Sequence, residues 1–200
     1  MTSLQLLLPG SPPALKRAAS QWLTPSDLAA RMVEWAGVRP GMRVLEPSAG
    51  DGSIVAPLLA AGADVVAVEA DKTLTWKLVD MKTRSDFELR HFDFLQLSDL
   101  GAFDLAVMNP PYENGQDLEH VLHALEFAPR VVALLRLVFL AGQERGRGLW
   151  SKHTLRRLAV LSSRPRFRGD GDDDPKSDFA LFDIERGRAN PGPAEITWWP

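Results

Sequence analysis

The chain has no cysteine, which excludes disulfides, thiolate-ligated zinc and a cysteine nucleophile and fits a reducing compartment. Histidine is scarce too, with four in all. His120 and His123 stand three apart on an expected helix without a clear third ligand, so a solvated helix face is expected there and no metal site. Long apolar runs are missing. Leu4 and Leu6 to Leu8 give way at once to Pro9, Gly10, Pro12 and Pro13, too short a stretch to span a bilayer or to act as a signal core. The expectation is a soluble, cytoplasmic chain. Basic excess is absent as well: the formal net charge is −3 and does not by itself mark a nucleic-acid binder.

What is present is 200 residues with 45% hydrophobic and 24% charged content, enough for one domain with a full core but not for a separate recognition domain. The charge is unevenly placed. Arg145, Arg147, Lys152, Arg156, Arg157, Arg164, Arg166 and Arg168 follow one another with no acid between them, and Asp170 and Asp172 to Asp174 come directly after. Such a strip is the footprint of phosphate contacts; the alternative is a solvated arginine-rich surface with its own acidic partners.

Patterning predicts an irregular arm over residues 1–21, a domain over 22–188 and a Pro/Gly tail over 189–200, with Trp198-Trp199 packed on the surface or on a partner. Thr24-Pro25-Ser26-Asp27 before Leu28, Met32, Val33 and Trp35 predicts a helix from about 25 to 37. Strands are expected at Met42 to Leu45, Asp64 to Val68, Phe87 to His91, Phe103 to Met108, Val131 to Leu140, Leu158 to Ser162 and Phe179 to Ile184, and helices at Ile54 to Ala61, Thr73 to Thr83 and Gln116 to Phe127. The alternation is that of an α/β domain with a mostly parallel sheet, in which ligands sit beyond the carboxyl ends of the strands.

The chemistry-bearing residues fall at those ends. Glu46-Pro47-Ser48-Ala49-Gly50-Asp51-Gly52-Ser53 is a small-residue loop between strand and helix, where backbone can approach a ligand closely. Val55 stands where a dinucleotide fingerprint needs its third glycine, and no Walker lysine follows. Glu46 precedes the glycines, which suits an amine-bearing or cationic ligand; the alternative is a helix-capping acid. Glu69, with Ala70 beside it, ends the second strand and is placed to take the two hydroxyls of a ribose. Asp93-Phe94 offers an acceptor beside an aromatic, placed to flank an adenine ring.

Asn109-Pro110-Pro111-Tyr112 ends the fourth strand. An exocyclic amino group conjugated to a ring is a poor nucleophile because its lone pair is delocalised. Two acceptors, the Asn109 side-chain oxygen and the Pro110 carbonyl, can draw that pair out of the plane by taking the N–H hydrogens, in bonds that strengthen as charge develops. Pro110 and Pro111 hold the loop rigid and supply no competing N–H. Tyr112 offers a face for a flat substrate to stack on. The alternative is a Pro-Pro turn with Tyr112 as ordinary packing.

In this order the motifs resemble those of class I S-adenosylmethionine-dependent methyltransferases, and among them the DNA adenine-N6 methyltransferases of γ arrangement. The resemblance spans most of residues 22 to 185 and is carried by Thr24-Pro25 with Leu28 and Met32, by Glu46 to Gly52, by Glu69, by Asp93-Phe94 and by Asn109 to Tyr112. It implies a Rossmann-like sheet of seven strands in the order 3-2-1-4-5-7-6, the seventh antiparallel. It also implies S-adenosylmethionine held by Thr24, Pro25, Glu46, Ser48, Gly50, Gly52, Glu69, Ala70, Asp93, Phe94 and Asn109. Methyl transfer to adenine N6 in DNA would run on Asn109, Pro110, Pro111 and Tyr112. The flipped base would lie between Tyr112 and Phe167, with Arg164, Arg166 and Arg168 on phosphates. Ser48 departs from the glycine that many members have there, and the chain after the catalytic loop is too short for a target-recognition domain, which implies relaxed sequence preference. RNA adenine, a protein glutamine amide, and cofactor binding without catalysis are the rival readings.

Overall fold

The computed structural model describes residues 22–168, 177–187 and 192–200. The expected arm, the acidic turn from Asp170 to Asp174 and the domain limit at 188/189 lie outside them.

Helix α1 (Ser26–Ala36) buries Leu28, Ala29, Met32, Val33 and Ala36, one face of a 3.6-residue repeat. It ends at Gly37, whose φ of 68° closes the helix with an N–H bond to the Glu34 carbonyl. Strand β1 (Arg43–Glu46) leads through the glycine loop into α2 (Val55–Ala60), followed by β2 (Asp64–Val68). The helix expected over Thr73 to Thr83 is shorter: α3 (Trp76–Val79) tightens into a 3-10 turn over Asp80–Thr83. Then come β3 (Phe87–Arg90), β4 (Leu105–Met108), α4 (Gln116–Phe127) and β5 (Arg130–Arg136).

The expectation of a strand running to Leu140 is corrected at Arg136. Leu137–Leu140 is a 3-10 turn that exposes Val138 and Leu140, because Leu137 donates its N–H to the Asp178 carbonyl just before the next antiparallel partner begins. A short helix missed by patterning, α5 (Gln143–Arg145), runs into a π turn over Gly146–Trp150, where two glycines weaken any helical signal. Strands β6 (Thr154–Leu161), β7 (Phe179–Glu185) and β8 (Glu195–Trp199) complete the chain.

All strands form one sheet in the order β3-β2-β1-β4-β5-β7-β6-β8. The first seven positions are those expected, with β7 antiparallel to both neighbours. The eighth strand is a correction: Glu195–Trp199, expected as tail, pairs parallel with β6. Trp199 packs edge-on to Trp35 at 6.0 Å with the Arg31 guanidinium 4.3 Å from its ring, while Trp198 is left exposed.

Strand β5 is central, and Val131 to Leu135 are fully buried. Each such side chain contributes about 1.5–3 kcal/mol of burial. At its amino end, away from the glycine loop, a buried ion cluster joins three strands. Asp183 takes two bonds from Arg130 at 2.7 and 2.9 Å and one from Arg157 at 2.8 Å, and Arg157 lies over Trp35 at 4.3 Å. Two acceptor oxygens meeting two planar forks is the geometry that makes a buried carboxylate tolerable.

Candidate active site

The neighbouring strands β3, β2, β1 and β4 bring Asp93, Glu69, Glu46 and Asn109 to one edge of the sheet, as the sequence leads one to expect. Glu46 is fully buried, and its Oε1 accepts from the Ser48 N–H at 3.1 Å and the Ser48 hydroxyl at 3.4 Å. Its Oε2 is buried without a partner. Burial pushes the carboxyl up to about 8, the Ser48 N–H opposes this, and the nearby Glu69 charge adds to it. Ser48, and no N–H of α2, is what Glu46 bonds, so the capping alternative falls away. An unsatisfied buried acceptor beside a glycine turn suits a ligand bearing an ammonium group, which would fill the vacant lone pairs and draw the proton off.

Glu69 braces the same loop. Its Oε2 accepts the Gly50 N–H at 2.7 Å and its Oε1 the Asp71 N–H at 2.8 Å, leaving a further lone pair on each oxygen for ligand hydroxyls. Desolvation is the main reason its carboxyl is raised. Gly50 and Gly52 have φ of 54° and 86°, and a Cβ at Gly52 would run into the Leu78 side chain. Ala70, beside Glu69, is partly buried.

The Asp93-Phe94 pair is placed differently from expectation. Asp93 caps the turn Phe94–Gln96, accepting from the Leu95 N–H at 3.1 Å and the Gln96 side chain at 2.9 Å. Phe94 is 2% exposed and packs against His123, His120 and Phe127, with ring centroids at 4.7, 5.6 and 6.3 Å. Its ring packs into the core against α4. The same packing corrects the expected solvated face of α4, since His120 is buried and the His123 ring is 2.8 Å from the Leu97 carbonyl. Among the described residues no group of three or more His, Asp or Glu is arranged to hold a metal ion.

The tetrapeptide Asn109 to Tyr112 lies against the glycine loop: the Ser48 hydroxyl donates to the Asn109 carbonyl at 3.1 Å. The Asn109 amide is fixed from the amino end of the chain. Its Nδ2 donates to the Trp22 carbonyl at 2.7 Å and to the Thr24 hydroxyl at 3.0 Å. Thr24 is engaged in this contact, and Pro25 occupies the cap position of α1 without a side-chain bond. Asn109 Oδ1 accepts from the Tyr112 hydroxyl, which also lies 3.0 Å from the Leu134 carbonyl. Pro110 is buried and Pro111 partly so.

Tyr112 is 7% exposed, so its ring is not the open stacking face expected of it. It stands edge-on to Phe179 at 5.5 Å; Phe179 meets Phe167 at 5.1 Å, and Phe167 meets Trp22 at 5.3 Å. Phe179 therefore sits between the two rings expected to hold a base. Arg136 fixes the loop from β5, donating to the Tyr112 carbonyl at 2.9 Å. Trp22, Phe179 and Arg136 escape sequence reading because Phe179 and Arg136 look like ordinary strand residues and Trp22 precedes the first recognisable motif.

Several members of the basic strip pair with acids. Arg157 is committed to Asp183, Arg156 pairs with Glu185 at 3.4 Å and Arg164 with Asp178 at 3.1 Å. Arg168 bonds Ser53 and the Thr24 carbonyl and lies 3.4 Å from the Asp51 carboxylate. Arg147, Lys152, Arg156, Arg164, Arg166 and Arg168 are all exposed. No helix among the described residues is long and apolar enough to cross a membrane.

No protein-family model matches the chain. It is 36% identical over 157 residues to Ribosomal RNA small subunit methyltransferase A of Thermosynechococcus vestitus, covering 77% of this chain and 58% of that protein. The protein of the same name from Thermotoga petrophila is 31% identical over 109 residues, 54% of this chain and 42% of that one. The chain thus spans about half the length of the relatives it matches. Among solved structures it resembles the 23S rRNA methyltransferase ErmE, with a TM-score of 0.63, 24% identity and coverage of 86% and 71%. It also resembles the magnesium protoporphyrin IX methyltransferase of Synechocystis PCC 6803 with bound SAM, with a TM-score of 0.60, 16% identity and coverage of 81% and 78%. At these identities the structural likeness is one of fold. Sheet order, the antiparallel β7 and the loop after β1 give this chain the class I S-adenosylmethionine-dependent methyltransferase fold.

Proposed function

We propose that the protein transfers the methyl group of S-adenosylmethionine to the N6 amino group of adenine in RNA. The observation that carries the reading is the state of Asn109. Both acceptors for its amide hydrogens come from Trp22 and Thr24, so its Oδ1 is left as the acceptor, and a hydroxyl donor sits on that oxygen where an amino N–H of the substrate would be received. The names of the sequence relatives move the substrate from the DNA expected above to RNA.

S-adenosylmethionine fits the residues present. The unpaired Glu46 Oε2 suits its ammonium group, and the Glu69 oxygens suit its ribose hydroxyls. Bound there, it supplies a methyl carbon activated by a neighbouring sulfonium. Asn109 Oδ1 and the Pro110 carbonyl take the two N6 hydrogens, so that the nitrogen lone pair is turned toward the methyl carbon. In the transfer the N–C bond would form as the C–S bond breaks, the cofactor would leave as the thioether, and the alkylated nitrogen, then acidic, would release one proton to water. The site needs no histidine or lysine as general base before attack.

The test is incubation with labelled S-adenosylmethionine and, in separate reactions, single-stranded RNA, structured RNA, duplex DNA and protein, followed by digestion. Label recovered as N6-methyladenosine is the expected result. Label in deoxyadenosine or in glutamine would overturn the RNA assignment, and binding without transfer to any of them would overturn the enzyme.

A further inference from the structure

Arg168 closes a ring of contacts that runs from the glycine loop to the catalytic amide. Its backbone pairs with Leu23 through two bonds of 3.0 Å, a single antiparallel bridge. Its Nη2 lies 2.6 Å from the Ser53 hydroxyl, 3.4 Å from the Asp51 carboxylate and 3.3 Å from the Thr24 carbonyl. Asp51 is itself 7% exposed and accepts from Ser53 at 2.5 Å. On the other side of the ring, Trp22 and Thr24 hold Asn109 Nδ2. Leu23 lies over the glycine turn, with its Cδ2 3.0 Å from where a Cβ on Gly50 would be.

The terminal torsion of an asparagine is broad and roughly two-fold, so its own stereochemistry does not decide which way the amide faces. The places of the Trp22 carbonyl and the Thr24 hydroxyl decide it. Those places are held by Arg168, whose backbone bridges Leu23 and whose Nη2 reaches the Asp51–Ser53 turn and the Thr24 carbonyl together, a position one bond beyond the end of a lysine side chain.

We infer that Arg168 is a positioning residue: by tying the 22–24 strap to the turn after Gly50, it sets the orientation of the Asn109 amide and so the direction in which Oδ1 receives a substrate hydrogen. Its kinetic half rests on the function proposed above; its structural half does not.

The chain has three asparagines, so selective 15N labelling of asparagine yields three side-chain amide signals, with Asn109 assigned by its loss in Asn109→Asp. In Arg168→Met the Asn109 pair should move and exchange with water about tenfold faster or more, as loss of one hydrogen bond implies. Arg166→Met should leave it in place. In single-turnover transfer to an adenine-containing single-stranded RNA, Arg168→Met should lower kcat by about tenfold or more with RNA affinity unchanged. Arg168→Lys, which keeps the charge near Asp51 and guards against a failure to fold, should share the amide shift. An unmoved Asn109 signal in both variants overturns the inference. So does weakened RNA binding with a smaller salt slope at full kcat, the signature of a phosphate contact. If the intact enzyme methylates no RNA, the amide signal still decides the inference and only the proposed substrate fails.

Discussion

The side-chain oxygen of Asn109 accepts a hydrogen bond from the hydroxyl of Tyr112, three residues on in the same loop. The acceptor that the chemistry needs is thus already matched by a donor from the protein itself. A substrate amino group takes that oxygen only as Tyr112 yields it, and the hydroxyl then keeps the Leu134 carbonyl at 3.0 Å as its acceptor.

Asn109→Ala removes the acceptor and strands the Thr24 hydroxyl and the Trp22 carbonyl. Methyl transfer should fall about 100-fold or more, in line with loss of one oriented transition-state partner. Calorimetric affinity for S-adenosylhomocysteine should change far less; an equal loss of both would make the residue structural.

Tyr112 is the single tyrosine of the chain, so tyrosinate absorbance reports on it alone. Burial holds its hydroxyl well above the usual 10. The folded protein should show no tyrosinate as pH passes 10, and the denatured chain should ionise there normally. Because the folded value is the higher one, stability is full below 10 and is lost as pH climbs toward the folded value. Ordinary ionisation in the native protein would mean that the ring is exposed.

Glu46 makes cofactor binding depend on pH. Its carboxyl is raised from 4.5 to about 8, so between those values the native ligand-free protein holds a proton that the unfolded chain has released, and stability falls as pH rises through the window. An ammonium group on Oε2 favours the ionised form. Binding of S-adenosylhomocysteine should therefore release a proton near neutral pH and tighten toward pH 8. Calorimetry in buffers of different ionisation heat measures the release, and Glu46→Gln should abolish it. Equal proton release by that variant would detach Glu46 from the ligand.

Asp183→Ala leaves Arg130 and Arg157 without their shared partner. A cost of about 3–5 kcal/mol in urea unfolding is expected. The cofactor affinity should survive in whatever fraction remains folded, because the cluster lies at the far end of β5 from the glycine loop. A cost below about 1 kcal/mol would place the cluster with ordinary surface pairs.

How far the chain could be read follows from where each kind of information resides. Apolar runs such as Val131 to Leu135 announce a strand buried on both faces, and the loop from Glu46 to Gly52 announces a close-approach turn, because burial and φ preference act within a few residues. The same locality hides β8: Glu195–Trp199 is a strand only because β6 offers it an edge.

Sequence by itself determined the alternation of strand and helix, and with it the gathering of Glu46, Glu69, Asp93 and Asn109 at the carboxyl ends of the strands, while the order of the first seven strands was implied by the family resemblance. Only the tertiary structure decided what each side chain does there. Arg168 pairs with Ser53 and Asp51, Phe94 turns in to α4, and Tyr112 bonds Asn109 and stands edge-on to Phe179. Those choices are set by partners from 3 to 144 residues away, Thr24 being the most distant partner of the Arg168 side chain, and a side chain's partner at such separations is fixed by packing, which no local pattern encodes.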